Sequence, residues 1–498
     1  MGNLGNVTKT QFLLLFLTII PLISTAIIII IRDYPSIVSK ISTILPIFFL
    51  VNYFNLLDSY LNHDKNSLTL FNMSRDLTIG FFLEPISLTF LGLIAMCWIA
   101  ISYYSNKYFF LNNDKKTASF QIFLTLIIEF ISLTVLAKNL ISVLLFYQSL
   151  IFCLYFFGTY FMQKRDIRVS YNLTFLALLS SFFFFLASVL TYKTTGQIDF
   201  TQSGIINDNL SALNYIILLF LYLIGIALVV IAPIYLTYGN LYYLNPPSVI
   251  AIFVISYGFL IPVILLKIII YIFGAEVFYS YLQSNGIKWF IIAIITFNIL
   301  ISAIFAIIGD NLKKMFIYLF FNQLIFTVFS LFTLSLSIHK AVIVIISFIL
   351  SQILIFFAIG NINLYLLDSE DKSINGIAYK LKITTAFLIF GLINLVGISP
   401  GIGIIAKYFL LKQAITDHYF INCLIIIINS VLNMFCLLKI VYPMFDVSHK
   451  QTSDLNLNVA KKIEFNFGLM LPMIFIASLM FFGFLFPEII INFVQDIF

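Results

Sequence analysis

The sequence predicts an all-α polytopic membrane protein of about 14 transmembrane helices, and three observations carry that prediction. Of its 498 residues, 62% are hydrophobic and 10% charged, a balance that leaves too few polar side chains to cover a water-facing surface. Apolar runs of about 20 residues, the length a helix needs to cross hydrocarbon, recur from end to end. Two of the runs are too long for one straight crossing, and each holds a proline near its middle, Pro233 in 211–243 and Pro400 in 383–416. The net charge of +6 belongs to loop lysines and arginines and does not point to nucleic acid.

The first run, Phe12 to Ile31, is long enough to span and lacks a small-residue cleavage site, so it reads as a membrane helix and not a signal peptide. The next five spans fall near 40–57, 79–104, 118–137, 139–161 and 171–192. After the long seventh come 247–273, 287–308, 313–337 and 340–366, then the long twelfth, 419–443 and 465–495. The longest polar stretch, about Asp446 to Glu464, reads as a loop, and no soluble domain is left over. Of the 27 lysines and arginines, 17 fall on one side of this topology and 8 on the other, with Lys407 and Lys412 inside the broken twelfth span. The richer side is expected to face the matrix or cytoplasm, with both termini opposite.

The two interrupted spans are the seventh and the twelfth, five helices apart. That spacing fits two five-helix repeats, each with its fourth helix broken, and an odd number of crossings per repeat inverts the second relative to the first. The domains are therefore read as 1–117 (helices 1–3), 118–273 (repeat 1), 287–443 (repeat 2) and 444–498 (a loop and helix 14). Paired proline-interrupted helices are the sequence mark of a transport site.

The stretch Leu395 to Ala414 concentrates this chemistry. Pro400 removes a backbone donor, and Gly397, Gly401 and Gly403 relax the helix around it. Lys407 follows by about two turns, where a charge is expensive and marks function. A proline kink with Lys407 snorkelling to an interface is the plainer alternative. Cys97, Cys153, Cys423 and Cys436 lie in apolar runs without metal-ligand spacing and read as packing residues. His63, His339, His418 and His449 fall in loops and form no metal set, and Asn322 and Gln352 read as hydrogen-bond partners between helices.

These residues resemble a known family, the antiporter-like membrane subunits of respiratory complex I, which are related to Mrp-type cation/proton antiporters. Gly397-Ile-Ser-Pro400 with Lys407 is similar to a Gly-Ile-Pro-Pro-x-x-Gly-Phe-x-x-Lys motif of the subunit 2 branch. Asn240-Leu-Tyr-Tyr-Leu-Asn-Pro246 resembles that branch's Asp-Val-Tyr-x-Gly-Ala-Pro, and Asn429 to Met444 resembles its Asn-Ser-x-x-x-x-Tyr-Tyr-Leu-Arg-x-x-x-x-Met. Leu312-Lys-Lys-Met-Phe-Ile-Tyr318 and Tyr192-Lys-Thr-Thr-Gly196 resemble motifs shared more widely in the family. Arg168-Val-Ser-Tyr-Asn-Leu followed by Leu186-Ala-Ser-Val-Leu is also similar to the subunit 4 branch, which carries Glu where this chain has Lys407.

The resemblance implies a proton-translocating subunit whose half-channels are joined by buried lysines and a glutamate: Glu on the fifth helix, Lys on the seventh and eighth, and Lys or Glu on the twelfth. The chain departs from that set. The fifth-helix position is Gln148, which cannot titrate. The seventh-helix position falls at about Leu228 and the eighth at about Gly258, and no charged residue lies between Asp208 and Lys267. Only Lys407 survives. The expectation is an antiporter-like fold whose family proton path is degenerate, with Glu129 in the fourth span as the best substitute and Lys138 and Lys267 near span ends.

By the same resemblance, the chain is a mitochondrial inner-membrane subunit of proton-translocating NADH:ubiquinone oxidoreductase, with its termini on the intermembrane-space side. It carries no cofactor, and FMN and iron–sulfur clusters belong to other subunits of the complex. Its partners are other membrane-arm subunits and phospholipid, including cardiolipin. A purely structural subunit and a free-standing cation/proton antiporter are the alternatives from other classes.

Overall fold

The computed structural model describes residues 9–62, 67–72, 78–112, 116–161, 167–201, 203–206, 211–230, 247–284, 286–309, 311–334, 337–368, 374–446 and 454–497. Within them the chain forms α1 (Lys9–Ile30), α2 (Pro35–Leu61), a hairpin of β1 (Ser67–Asn72) and β2 (Thr78–Phe82), then α3 (Pro85–Leu111), α4 (Thr117–Leu136), α5 (Leu140–Phe161), α6 (Ile167–Thr195) and α7 (Ala212–Val230). There follow α8 (Pro247–Lys267) with a π-helical turn at Ile268–Ile272, α9 (Ala275–Ser284), α10 (Ile287–Ile308), α11 (Leu312–Thr333) and α12 (Ile338–Asp368). The last helices are α13 (Ile377–Lys380), α14 (Lys382–Val396), α15 (Ile402–Thr416), α16 (Phe420–Phe445), α17 (Asp454–Glu464), α18 (Phe467–Leu485) and α19 (Pro487–Ile497). Thirteen of the described helices are long and apolar enough to cross a membrane. α14 is a shorter apolar helix, and α15 continues from it across a break.

The first three crossings build one side of the bundle, and the rest falls into two similar groups. In one, α4 packs on α5, α5 on α6, α6 on α7, and α4 closes onto α8. In the other, α10 packs on α11, α11 on α12, α12 on α14 and α15, both half helices on α16, and α10 closes onto α16. The first helix of each group thus meets the fifth. The two groups join through α8 against α12. These two helices and α11 have almost no outward face, because they lie in the middle of the bundle.

Polar side chains stitch the buried helices where lipid would leave them unsatisfied. Tyr104 on α3 donates to the Phe357 carbonyl at 2.8 Å and to Asn361 Oδ1 at 3.0 Å, both on α12. Gly360 permits this, since a Cβ there would collide with the Tyr104 hydroxyl. Asn322 joins α11 to α10 as expected, donating to the Ile299 carbonyl at 2.9 Å and Ser302 Oγ at 3.2 Å. Gln352 does not behave as expected: it is fully buried and neither amide atom has a partner among the described residues. Cys97, Cys153 and Cys436 are buried and all four cysteines are free.

Several expectations need correction. Residues 79–82 open no helix; they form β2 of an antiparallel hairpin, because the helix starts only at Pro85, where Glu84 N–H donates to Ser87 Oγ at 2.7 Å. The polar stretch 446–464 is not all loop. Its second half is the amphipathic α17, which buries Ala460 and Ile463 and turns Lys461 and Lys462 outward. Glu464 fastens α17 to the bundle by accepting from the Ile383 and Thr384 amides, at 2.6 and 3.3 Å, at the start of α14. Partial burial holds this carboxyl above the usual range against the pull of those two donors. The run 465–495 breaks at Pro487 into α18 and α19, and His339 lies in the first turn of α12 instead of a loop. The break at Pro233 and the motif Asn240 to Pro246 lie outside the described residues.

The Tyr104–Gly360 contact yields a test of the α3–α12 joint. Gly360→Ala should lower the thermal midpoint of the detergent-solubilised chain. Adding Tyr104→Phe, which removes the hydroxyl that the new methyl meets, should recover about 1 kcal/mol relative to the single variant. Strict additivity of the two changes would contradict the contact.

Candidate functional site

The twelfth crossing is broken where the sequence predicts. α14 ends at Val396, and Gly397 takes φ 83°, a left-handed turn that suits a residue without Cβ. A side chain at Gly397 would also run into the aliphatic stem of Lys407. The Ser399–Pro400 peptide is cis, and the helix resumes at Ile402. Asn394 bridges the gap: its Oδ1 accepts from the Gly403 amide at 2.7 Å, while its Nδ2 donates to Ser351 Oγ and to the Ser347 carbonyl on α12. Gly401 and Gly403 are needed because a Cβ at either would strike Asn394.

Lys407 is buried and does not snorkel. Its Nζ donates to the Val396 carbonyl at 2.7 Å and to Ser430 Oγ on α16 at 2.8 Å, and it lies 5.5 Å from the Phe326 ring centre. The carbonyl is one that the break leaves without an amide partner, at the negative end of α14, so the ammonium meets both the free acceptor and the helix dipole. Lys407 makes no ion pair among the described residues. On its inner side a cavity of about 10 Å³, bordered by Gln323, Thr327, Ser347 and Asn394, has room for about one water. On its outer side an open cleft of about 480 Å³, lined by Gly397, Tyr408 and Met434 among others, leads out between α15 and α16.

The other family positions hold no titratable group and are not gathered around Lys407. Gln148 is exposed on α5, in an outward stripe with Leu145, Phe152 and Phe156. Leu228 is half-buried on α7. Gly258 is buried on α8, and a Cβ there would meet only apolar atoms of Phe348 and Ile349, at 3.6 and 3.7 Å. Glu129 sits inside the bundle on α4, 1% exposed, and its Oε2 has no hydrogen-bond partner among the described residues.

A second buried charge site was not anticipated as a pair. Glu84, ahead of α3, and Lys267, at the end of α8, form an ion pair at 3.3 Å, with side chains 0% and 2% exposed. Lys267 Nζ also donates to the Ala137 carbonyl at 2.9 Å and lies 5.3 Å from the Phe200 ring centre. The next residue, Lys138, pairs with the half-exposed Asp199 at 2.7 Å, and Asn139 donates to the same carboxylate at 3.0 Å. The sequence marks Lys267 as a charge near a span end and does not single out Glu84. Nothing local tells that two residues so far apart in the chain meet. Among the described residues, no cluster of His, Cys, Asp and Glu could hold a metal ion.

Comparison with known proteins places this geometry. Residues 137–435 match the family described as NADH:quinone oxidoreductase/Mrp antiporter, TM. NADH-quinone oxidoreductase subunit N of Buchnera aphidicola is 22% identical over 299 residues, 57% of this chain and 59% of that protein. Subunit N of Blochmanniella floridana is 25% identical over 122 residues, 24% of each chain. The chain therefore matches from a quarter to somewhat over half of the length of these relatives. Among solved structures, a chain of the Mrp complex from a Dietzia species superposes with TM-score 0.82 at 14% identity, covering 99% of this chain and 97% of that one. A chain of the archaeal membrane-bound sulfane sulfur reductase superposes with TM-score 0.76 at 15% identity, covering 96% and 95%. The family match covers more than half of the sequence, and the superpositions extend the same fold across nearly all of it: the chain belongs to the antiporter-like transmembrane subunits of the NADH:quinone oxidoreductase and Mrp antiporter family.

Proposed function

We propose that this chain is the subunit 2-type membrane subunit of a proton-translocating NADH:ubiquinone oxidoreductase in the mitochondrial inner membrane, and that the family's own proton path through it is interrupted. The observation that carries the proposal is the state of the three vacated positions: Gln148 faces outward, Leu228 is apolar, and Gly258 is packed against Phe348 and Ile349. A free-standing antiporter depends on those positions to bind and release ions. A subunit whose energy comes from redox chemistry elsewhere can lose them and keep its place in the assembly.

Two further features favour the oxidoreductase branch. Both curated relatives are N subunits of NADH-quinone oxidoreductase. Gln148 also sets an amide in the middle of an exposed apolar stripe. Leaving such a group unpaired in hydrocarbon costs about 2–7 kcal/mol, so a protein neighbour suits this face better than lipid. In this reading FMN and iron–sulfur clusters sit on other subunits. Neighbouring membrane-arm subunits and phospholipid, cardiolipin included, cover the exposed helices. The repeats run 118–273 and 287–443, with both termini in the intermembrane space.

Native separation of the source's mitochondrial inner membranes, with mass spectrometry of the band that contains this chain, tests the assignment. The band is expected to oxidise NADH and to contain flavin and iron–sulfur subunits; a band without redox partners would refute it. The interrupted path has a separate test in the assembled enzyme. Lys407→Ala is expected to leave the protons moved per electron pair unchanged, and Gln148→Glu alone not to raise them. A clear drop with Lys407→Ala would show the family path to be working.

A further inference from the structure

We infer that protons cross this chain by a different route, along one face of α4, from a polar cluster between α2, α3 and α4 through Glu129 to the buried Glu84–Lys267 pair. The inference rests on the reading of the chain as a subunit of a proton-translocating complex. It assigns to that subunit a path which the family's vacated positions do not provide.

The route begins at the end of the bundle opposite the β-hairpin. There Gln121, fully buried one turn into α4, donates to Asn106 Oδ1 at 2.8 Å and to Ser105 Oγ at 3.0 Å. Asn106 in turn donates to Ser42 Oγ at 2.8 Å and to the Ser39 carbonyl at 3.2 Å, near the start of α2. A continuous hydrogen-bonded string thus runs inward from that face. Gln121, Thr125, Glu129 and Ser132 then follow at helical spacing, within an arc of about 80° on α4 at 100° per residue. All four are buried. The Thr125 hydroxyl donates to the Gln121 carbonyl at 3.0 Å, and Ser132 to the Glu129 carbonyl at 2.8 Å.

At the hairpin end, the carbonyl of Ala137, the residue that follows α4, accepts from Lys267, which holds Glu84. One residue on, Lys138 and Asp199 carry the charge to the surface. Three buried ionisable side chains on one line across a membrane bundle are costly to keep, and such residues mark ion pathways. Glu129 Oε2, which has no hydrogen-bond partner among the described residues, is an open acceptor on that line. The π-helical turn directly after Lys267 is a further sign, since such turns concentrate at functional sites.

The chemistry balances with the proton alone. Glu129 passes its carboxylic proton through water past Ser132 to the Glu84 carboxylate, which releases it to the exposed Lys138–Asp199 rim, and a proton entering by the Gln121 string restores the acid. The steps on either side of Glu129, about 12 Å each along the helix, are lengths that a few ordered waters bridge. Lys267 holds Glu84 in place through their ion pair.

The test uses the assembled complex in proteoliposomes, reading NADH oxidation, assembly on native gels and protons moved per electron pair. Glu129→Gln, and separately the charge-neutral double variant Glu84→Gln with Lys267→Met, should each lower the ratio while NADH oxidation persists. The combination should lower it no further, because sites in series on one route share one loss. Glu129→Gln should also remove a carboxylic C=O stretch from the redox-induced infrared difference spectrum. Thr125→Val, which keeps shape and removes only the hydroxyl, is the second probe should a charge variant fail to assemble, and it too should lower the ratio. An unchanged ratio in assembled enzyme overturns the route and leaves the subunit assignment standing. Absence of the chain from any NADH-oxidising band overturns both.

Discussion

A helix broken inside a membrane frees carbonyls that no water reaches, and each must find a donor within the protein. The fold of the second helix group turns on how this is met at Val396. The donor is Lys407, reaching back across the break from the second half helix to the end of the first. The lysine gains an acceptor and the negative end of a helix dipole, and the break gains a closed polar interior. Asn394 completes the arrangement by tying the Gly403 amide and α12 together. The glycines follow from it as well, since each stands where a side chain would push the lysine or the asparagine away. Lys407 is therefore a structural necessity of the break.

How much of this was legible in the sequence depended on the range of the interaction. The crossings were readable because hydrocarbon thickness imposes a length on every apolar run. The broken twelfth helix was readable because Pro400 and Gly397 act locally on the backbone. Lys407 stood out for the same reason: a charge in the middle of such a run needs explaining on its own. The hairpin was missed because β2, Thr78–Phe82, is an apolar strand leading straight into an apolar helix, and a short apolar run carries no period that separates the two. The helix α17 was missed because its sequence is polar overall; among its described side chains Ala460 and Ile463 are buried.

The candidate site divided along the same line. Glu129 was identified because an acid at mid-span is conspicuous wherever it points. Gln148 was recognised as a substitution, but its outward direction belongs to the rotation of α5 in the bundle, which no local pattern sets. The Glu84–Lys267 pair was beyond reach. Each residue lies at the edge of an apolar run, where a charge is ordinary, and the cost of burying them appears only once α3, α4 and α8 are brought together. Charges at span ends are thus the residues whose role a sequence leaves most open.

The carboxylate of Glu464 has a mechanical meaning apart from the stability it lends. It joins a helix lying outside the row of crossings to two amides in the first turn of α14, the half helix whose far end holds Lys407. A rigid rod with a handle at one end and the buried charge at the other transmits tilt directly. Movement of the broken crossing would therefore be carried to the protein surface at α17, where the outward-facing Lys461 and Lys462 offer positions for a reporter that leaves the interior untouched.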